Sequence, residues 1–171
     1  MERYFSKILI DARSGVHIAD WRISSDDLRL GDHEWSIEKR GLHGGMQEGV
    51  DVVEVDNGKL SFAIVPTRGM GVWKGAYEGC SLGWASPVKD PVHPNHVRLE
   101  ERGGLGFLDG FNEWVVRCGL ESNGAPGEDV IVDNMGNAKS VNLTLHGKIA
   151  NIPAEYVEVR VGLDPPHTLS V

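Results

Sequence analysis

The stretch from Asn57 to Pro87, NGKLSFAIVPTRGMGVWKGAYEGCSLGWASP, constrains the fold more tightly than any other part of the sequence. Leu60, Phe62 and Ile64 alternate with Ser61, Ala63 and Val65, the period of two that sends successive side chains to opposite faces of a strand. Pro66 ends that strand, because it has no N–H to contribute to a central ladder. Gly69 and Gly71 supply positive φ wherever the reversal needs it. A second strand is expected over 70–77, a tight acidic-Gly turn at Glu78-Gly79, and a third strand over 80–85, closing at Ser86-Pro87. Arg68 falls where the first two strands meet.

The flanking segments repeat the same grammar. Val50, Val52, Val53 and Val55 form a β-branched run that leads directly into an Asn57-Gly58 turn, and Trp35 and Ile37 precede a Gly-rich loop around His43. Residues 1–32 mix Ile8-Leu9-Ile10 with polar clusters and read as short strands and loop. After Pro87, the segment VKDPVHPNHVRLEERGG reads as a loop over a surface or a cleft. Residues 107–120 are expected to begin helically and to pass into a buried strand at Val115, Val116 and Cys118. A second loop rich in Gly, Asn and Asp fills 119–137. Val141, Leu143 and Leu145 alternate with polar residues, as do residues 156–161, in the manner of half-exposed antiparallel strands. Many short strands separated by turn signals indicate a mainly β protein, an antiparallel β-sandwich. The 22 glycines fit that class better than a helical bundle, where each would cost about 1 kcal/mol relative to alanine.

Charge and cysteine content exclude several functions. A formal net charge of −8 argues against nucleic-acid and anionic-membrane partners, which need clustered Lys and Arg. Two cysteines, Cys80 and Cys118, are too few for a disulfide framework, and no leader-like pattern opens the chain. No apolar run approaches the roughly 20 residues of a membrane span. A cytoplasmic location is therefore expected.

The order Asn-Gly, strand, Pro-Thr-Arg-Gly-Met-Gly, strand, turn-Gly, Gly-Trp, Ser-Pro resembles the opening of aldose 1-epimerase-like (galactose mutarotase-like) proteins, and within them a poorly characterised branch. Two further stretches resemble the same branch: GLGFLDGFNEWVVRCGLESNGAP over residues 104–126 and LHGKIANIPA over 145–154. The resemblance covers roughly residues 38–161. It implies a β-sandwich of the mutarotase-like type, residues 1–171 forming one carbohydrate-binding domain. Such sandwiches need more chain than 171 residues, and the final PPHTLSV looks like a strand beginning, so the sandwich is expected to be partial. Exposed edges would then promote self-association, or recruit a partner chain that completes the sheet.

The resemblance also implies a chemistry. In mutarotases a carboxylate removes the anomeric hydroxyl proton while a histidine donates to the ring oxygen, without a cofactor. A histidine suits this exchange because it holds or releases a proton near neutral pH. His146, in Leu145-His146-Gly147, matches the family's His-Gly motif and takes the donor role; the alternative is a hydrogen-bonded structural histidine. Arg68 matches the arginine that grips sugar hydroxyls, for which its planar fork is suited. Its alternative is a salt bridge to Asp109 or Glu113 that holds loops in place. Asp109, Asn112, Glu113 and Asn123 come from the stretch expected to face His146 and offer donors and acceptors for a monosaccharide or sugar acid. His93 is a further candidate for lining the cleft. Trp73, Trp84 and Trp114 have the flat faces for stacking on a pyranose, though tryptophans in sandwiches more often belong to the core.

No segment matches the family's glutamate base, and Glu155 and Glu158 do not substitute for it. The sequence thus supports an anomer-interconverting isomerase and, as its rival, a non-catalytic carbohydrate-binding sandwich. A metal-dependent barrel using His93, His96 and His146, with His43 nearby, is a third reading; two histidines three apart do not make a site that needs three or four ligands, and no metal is expected.

Overall fold

In the computed structural model the described residues are 3–30 and 33–171; Met1, Glu2, Gly31 and Asp32, all in the segment read above as strands and loop, lie outside them. Strand β1 spans Tyr4–Asp11, β2 Val16–His17 and β3 Trp21–Ser24. They are followed by β4 (Ser36–Leu42), β5 (Val50–Asp56), β6 (Leu60–Val65), β7 (Gly71–Tyr77) and β8 (Cys80–Leu82). An excursion through short helical turns leads to β9 (Gly127–Val132) and β10 (Ala138–Leu143), and then to β11 (Tyr156–Gly162) and β12 (Leu169–Ser170).

Strands β3 to β8 pair in sequence order as a six-stranded antiparallel meander, while β12-β11-β1-β2 form a second sheet and β9 and β10 a separate hairpin. Local turn chemistry accounts for the meander. Glu78 and Gly79 both take positive φ, 47° and 82°, between the paired Tyr77 and Cys80, which is the geometry a two-residue hairpin loop demands. Asn57 Oδ1 accepts from the N–H groups of Lys59 and Leu60 and holds the preceding reversal closed.

The two larger sheets face one another across the main core. Leu9 of β1 and Val157, Val159 and Val161 of β11 meet Ile23, Ile37, Val53 and Val55 of the meander, with Trp35 at the margin. Because side chains alternate, β5 is buried on both faces. Val53 and Val55 point into this core, and Val50 and Val52 join Leu42, Ala63 and Val65 in a second cluster. A third cluster, Val92, Val97, Leu99, Phe107 and Ala150, organises the long loops.

The loop core is tight enough to test with one methyl group. A Cβ on Gly106 would lie 1.7 Å from the Arg98 carbonyl oxygen, a backbone atom that has nowhere to retreat. Gly106→Ala is expected to lower stability by about 1–3 kcal/mol in urea unfolding, as overpacked interiors do.

Several expectations need correction. The strand expected over 80–85 stops at Leu82. Residues 115–118 are not a buried strand: Val115 is 59% exposed, and the backbone here is spent on single anchors, Trp114 N–H to the Val72 carbonyl and Gly119 N–H to that of His146. The expected loop over 119–137 contains β9, whose ladder is supplied by β10 although its residues stay exposed. Strand β1 runs eight residues, longer than short strands and loop imply, because β11 pairs along it from Tyr4 to Asp11. Among the described residues no helix is long and apolar enough to cross a membrane.

Candidate functional site

Pro66, Thr67 and Arg68 form a single 3-10 turn directly after β6, and Gly69 closes it in the left-handed conformation at φ 58°. Gly69 cannot be replaced without collision, since a Cβ there would lie 2.2 Å from the Ile149 carbonyl oxygen. The turn drives Arg68 inward, where its side chain is fully buried. Its Nε donates to Glu113 Oε1 at 2.6 Å, and its Nη1 donates to the Val92 carbonyl at 3.0 Å and to Asn151 Oδ1 at 3.1 Å. The other Glu113 oxygen accepts from the Asn112 N–H at 3.1 Å. Three donors in this cluster, Arg68 Nη2, Asn112 Nδ2 and Asn151 Nδ2, have no hydrogen-bond partner among the described residues. Gly110 leaves room for the guanidinium, as a Cβ there would lie 2.7 Å from Nη1.

An aromatic series connects this cluster to His146. Trp84 donates from its indole nitrogen to the Glu113 carbonyl at 3.0 Å and packs on Phe111; Phe111 lies against Phe107, and Phe107 meets the His146 ring edge-on with centroids 5.5 Å apart. His146 itself has φ 59°, a left-handed conformation that costs a non-glycine residue about 1–3 kcal/mol. Backbone bonds hold it there: its N–H donates to the Gly124 carbonyl at 3.0 Å, and its own carbonyl accepts from Gly119 at 3.0 Å. The Cys118 sulfur lies 3.5 Å from His146 Nδ1.

The expected site residues are thus distributed unevenly. Arg68 and Glu113 are joined directly, and Asn112 belongs with them. Asp109 does not pair with Arg68; it takes Arg102 at 2.5 Å on the surface. Asn123 is exposed beside Gly124, the residue that accepts from His146. His93 caps the turn Pro94–His96, its Nδ1 accepting from the Asn95 N–H at 3.2 Å. His43 stands apart against Glu48 at 3.1 Å, whose carboxyl is held below the usual range first by the Gly44 N–H and then by His43. Among the described residues no three His, Cys, Asp or Glu side chains lie close enough to hold a metal ion. Trp73 edges the second core under the Lys74 ammonium, and Trp114 covers Gly75, where a Cβ would come within 3.2 Å of its ring.

Two participants escaped sequence reasoning. Asn151 lies within LHGKIANIPA but gives no local sign that it will reach Arg68, 83 positions away. Cys118 reads as an apolar strand residue, and its place beside His146 depends on the loop bond from Gly119. The Arg68–Glu113 bond, by contrast, was one of the two readings open for Arg68.

The antiparallel sandwich, with sheets of six and four strands, matches an aldose epimerase-like fold. The chain belongs to the family described as a domain of unknown function, DUF4432, whose family model matches residues 47–171. It is similar to the crystal structure of a provisionally assigned aldose 1-epimerase from Klebsiella pneumoniae subsp. pneumoniae MGH 78578, at 39% identity and a TM-score of 0.86 over 98% of this chain. The chain spans 41% of the length of that structure. No curated protein matches the chain.

Proposed function

We propose that the chain acts on the anomeric centre of a monosaccharide or sugar acid, in the manner of an aldose 1-epimerase, with His146 as the proton donor to the ring oxygen. The observation that carries this reading is the likeness at 39% identity to the Klebsiella protein, combined with a histidine held rigidly in a left-handed conformation against Phe107. As His146 delivers its proton, the bond between the anomeric carbon and the ring oxygen breaks, and the anomeric hydroxyl must give its proton to a general base, a role that none of the site residues named above fills. The open-chain aldehyde rotates and recloses, so no cofactor is consumed. Asn123 and His93 are the exposed or half-buried candidates for sugar hydroxyls. Arg68 orders the loops through Glu113 from a fully buried position.

Glu113 is a poor general base here, because one oxygen is taken by Arg68 and the other by the Asn112 N–H. That commitment favours a second reading, a carbohydrate-binding sandwich without turnover.

Anomer exchange followed by NMR over a panel of aldoses and uronic acids separates the two. His146→Asn is the suitable variant, since asparagine tolerates a left-handed backbone but cannot serve as the acid. Catalysis is expected to raise the exchange rate and to fall by about 100-fold or more in the variant. Unaltered exchange with sugar-dependent shifts near His146 would leave binding alone, and neither response would sink both readings.

A further inference from the structure

Cys80 and Cys118 are both free and exposed, yet their surroundings differ. Cys118 places its sulfur 3.5 Å from His146 Nδ1, whereas Cys80, at the β7–β8 turn, has no hydrogen-bonding side chain against it among the described residues. The contact is not a chance meeting of two loose side chains. Gly119 donates to the His146 carbonyl and accepts from the Ile149 N–H at 3.1 Å, which laces the cysteine's own segment to the histidine's. Lys148 and Glu121 pair across the same seam at 3.2 Å. Gly147 permits the approach, since a Cβ there would lie 2.9 Å from the carbonyl oxygens of Gly119 and Ser122. The edge-on Phe107 ring restrains the imidazole from the side.

A thiol held at hydrogen-bond distance from an oriented imidazole is the arrangement that activates a cysteine nucleophile, because the base removes the proton as sulfur attacks. We propose that Cys118 and His146 form a nucleophile–base pair, which makes Cys118 a site of covalent modification by α,β-unsaturated carbonyl compounds. In the step, His146 in its Nε2–H tautomer takes the thiol proton on Nδ1. The sulfur lone pair forms a bond to the β-carbon of the electrophile, and the electrons of the broken carbon–carbon π bond move to the α-carbon. That carbon collects the proton from Nδ1, so the addition is complete with no leaving group, oxidant or reductant. The adduct sits on the His146 ring and withdraws it from other work; that last consequence alone rests on the sugar reading.

The test is a time course of N-ethylmaleimide labelling at neutral pH on the full chain, with each cysteine followed by peptide mass spectrometry. Cys80 serves as the exposed internal reference. Cys118 is expected to label about tenfold or more faster than Cys80, a modest share of what a positioned base supplies. In His146→Asn the Cys118 rate should fall to within about twofold of Cys80, with an unchanged urea midpoint reporting an intact fold. Equal rates for the two cysteines in the unaltered chain would overturn the proposal, whatever the variant does. A Cys118 advantage that survives in a folded His146→Asn would overturn it too. No sugar enters the assay, so its failure leaves the sugar reading standing, and loss of anomer exchange would leave the labelling result intact.

Discussion

Glu113→Leu is expected to destabilise the protein by about 3–5 kcal/mol, because it leaves a buried guanidinium without its counter-charge. Arg68 is fully buried and Glu113 is 2% exposed, so water cannot take over from the missing carboxylate. The Asn112 N–H loses its acceptor in the same substitution. Removing both charges should be milder. Arg68→Met combined with Glu113→Leu eliminates the stranded charge and leaves the Val92 carbonyl and Asn151 Oδ1 without a donor and the Asn112 N–H without an acceptor, at roughly 1 kcal/mol each. The double variant is therefore expected to recover part of the loss, measured as the shift in urea midpoint at a shared slope. A single-variant cost below about 1 kcal/mol would show that the pair is hydrated in solution. This experiment also bears on function, since a site that needs Arg68 for sugar would lose binding in the double variant while regaining stability.

The second large effect is expected at the other buried ion pair. Lys39 of β4 has a side chain with no solvent exposure, and its ammonium donates to Asp51 Oδ1 at 2.5 Å. Asp51 lies on β5, its second oxygen 2.9 Å from His17 Nε2 on β2. The three residues therefore tie the meander to the four-stranded sheet at the end of the main core. Asp51→Ala leaves the Lys39 ammonium with only the Ala19 carbonyl, 3.4 Å away, and should cost about 3–5 kcal/mol. Lys39→Met should cost less than half as much, because Asp51 keeps His17 and is nearer to water, whereas the lysine has no such outlet. Equal losses in the two variants would mean that packing, and not the stranded charge, sets the cost. His17 is mostly exposed, so His17→Ala is expected to stay within about 1 kcal/mol of the unaltered protein.

The part of this fold legible in the sequence is the part governed by neighbours along the chain. Val50 to Leu82 could be read strand by strand because Asn57-Gly58, Pro66 and Glu78-Gly79 fix reversals and stops within a few residues of themselves. The strand at 156–162 was visible for the same reason, its valines recurring at every second position. The candidate site was legible only through resemblance: nothing in the local pattern marks His146 as more than a histidine beside a glycine. The errors have a common origin as well. Val115 and Val116 looked like core because they are apolar, but the backbone around them is pinned by isolated bonds to distant carbonyls and leaves Val115 in solvent. Strand β9 was hidden because its apolar run, Val130 to Val132, lies between Asp129 and Asp133 and does not alternate, whereas Val141 and Leu143 of β10 were legible by their alternation.

By itself the sequence determined a mainly antiparallel β protein, the succession of strands from Val50 to Leu82 and the turn that holds Arg68, since turn geometry and side-chain alternation act over a few residues and depend on nothing remote. Only the tertiary structure decided that β1 pairs with β11, that Arg68 takes Glu113 while Asp109 takes Arg102, that Lys39 finds Asp51, and that Cys118 comes to rest against His146. Those choices are made between groups far apart in the chain, where several partners of the right charge or polarity compete. The winner is whichever one the packed sheets bring within hydrogen-bond distance away from water.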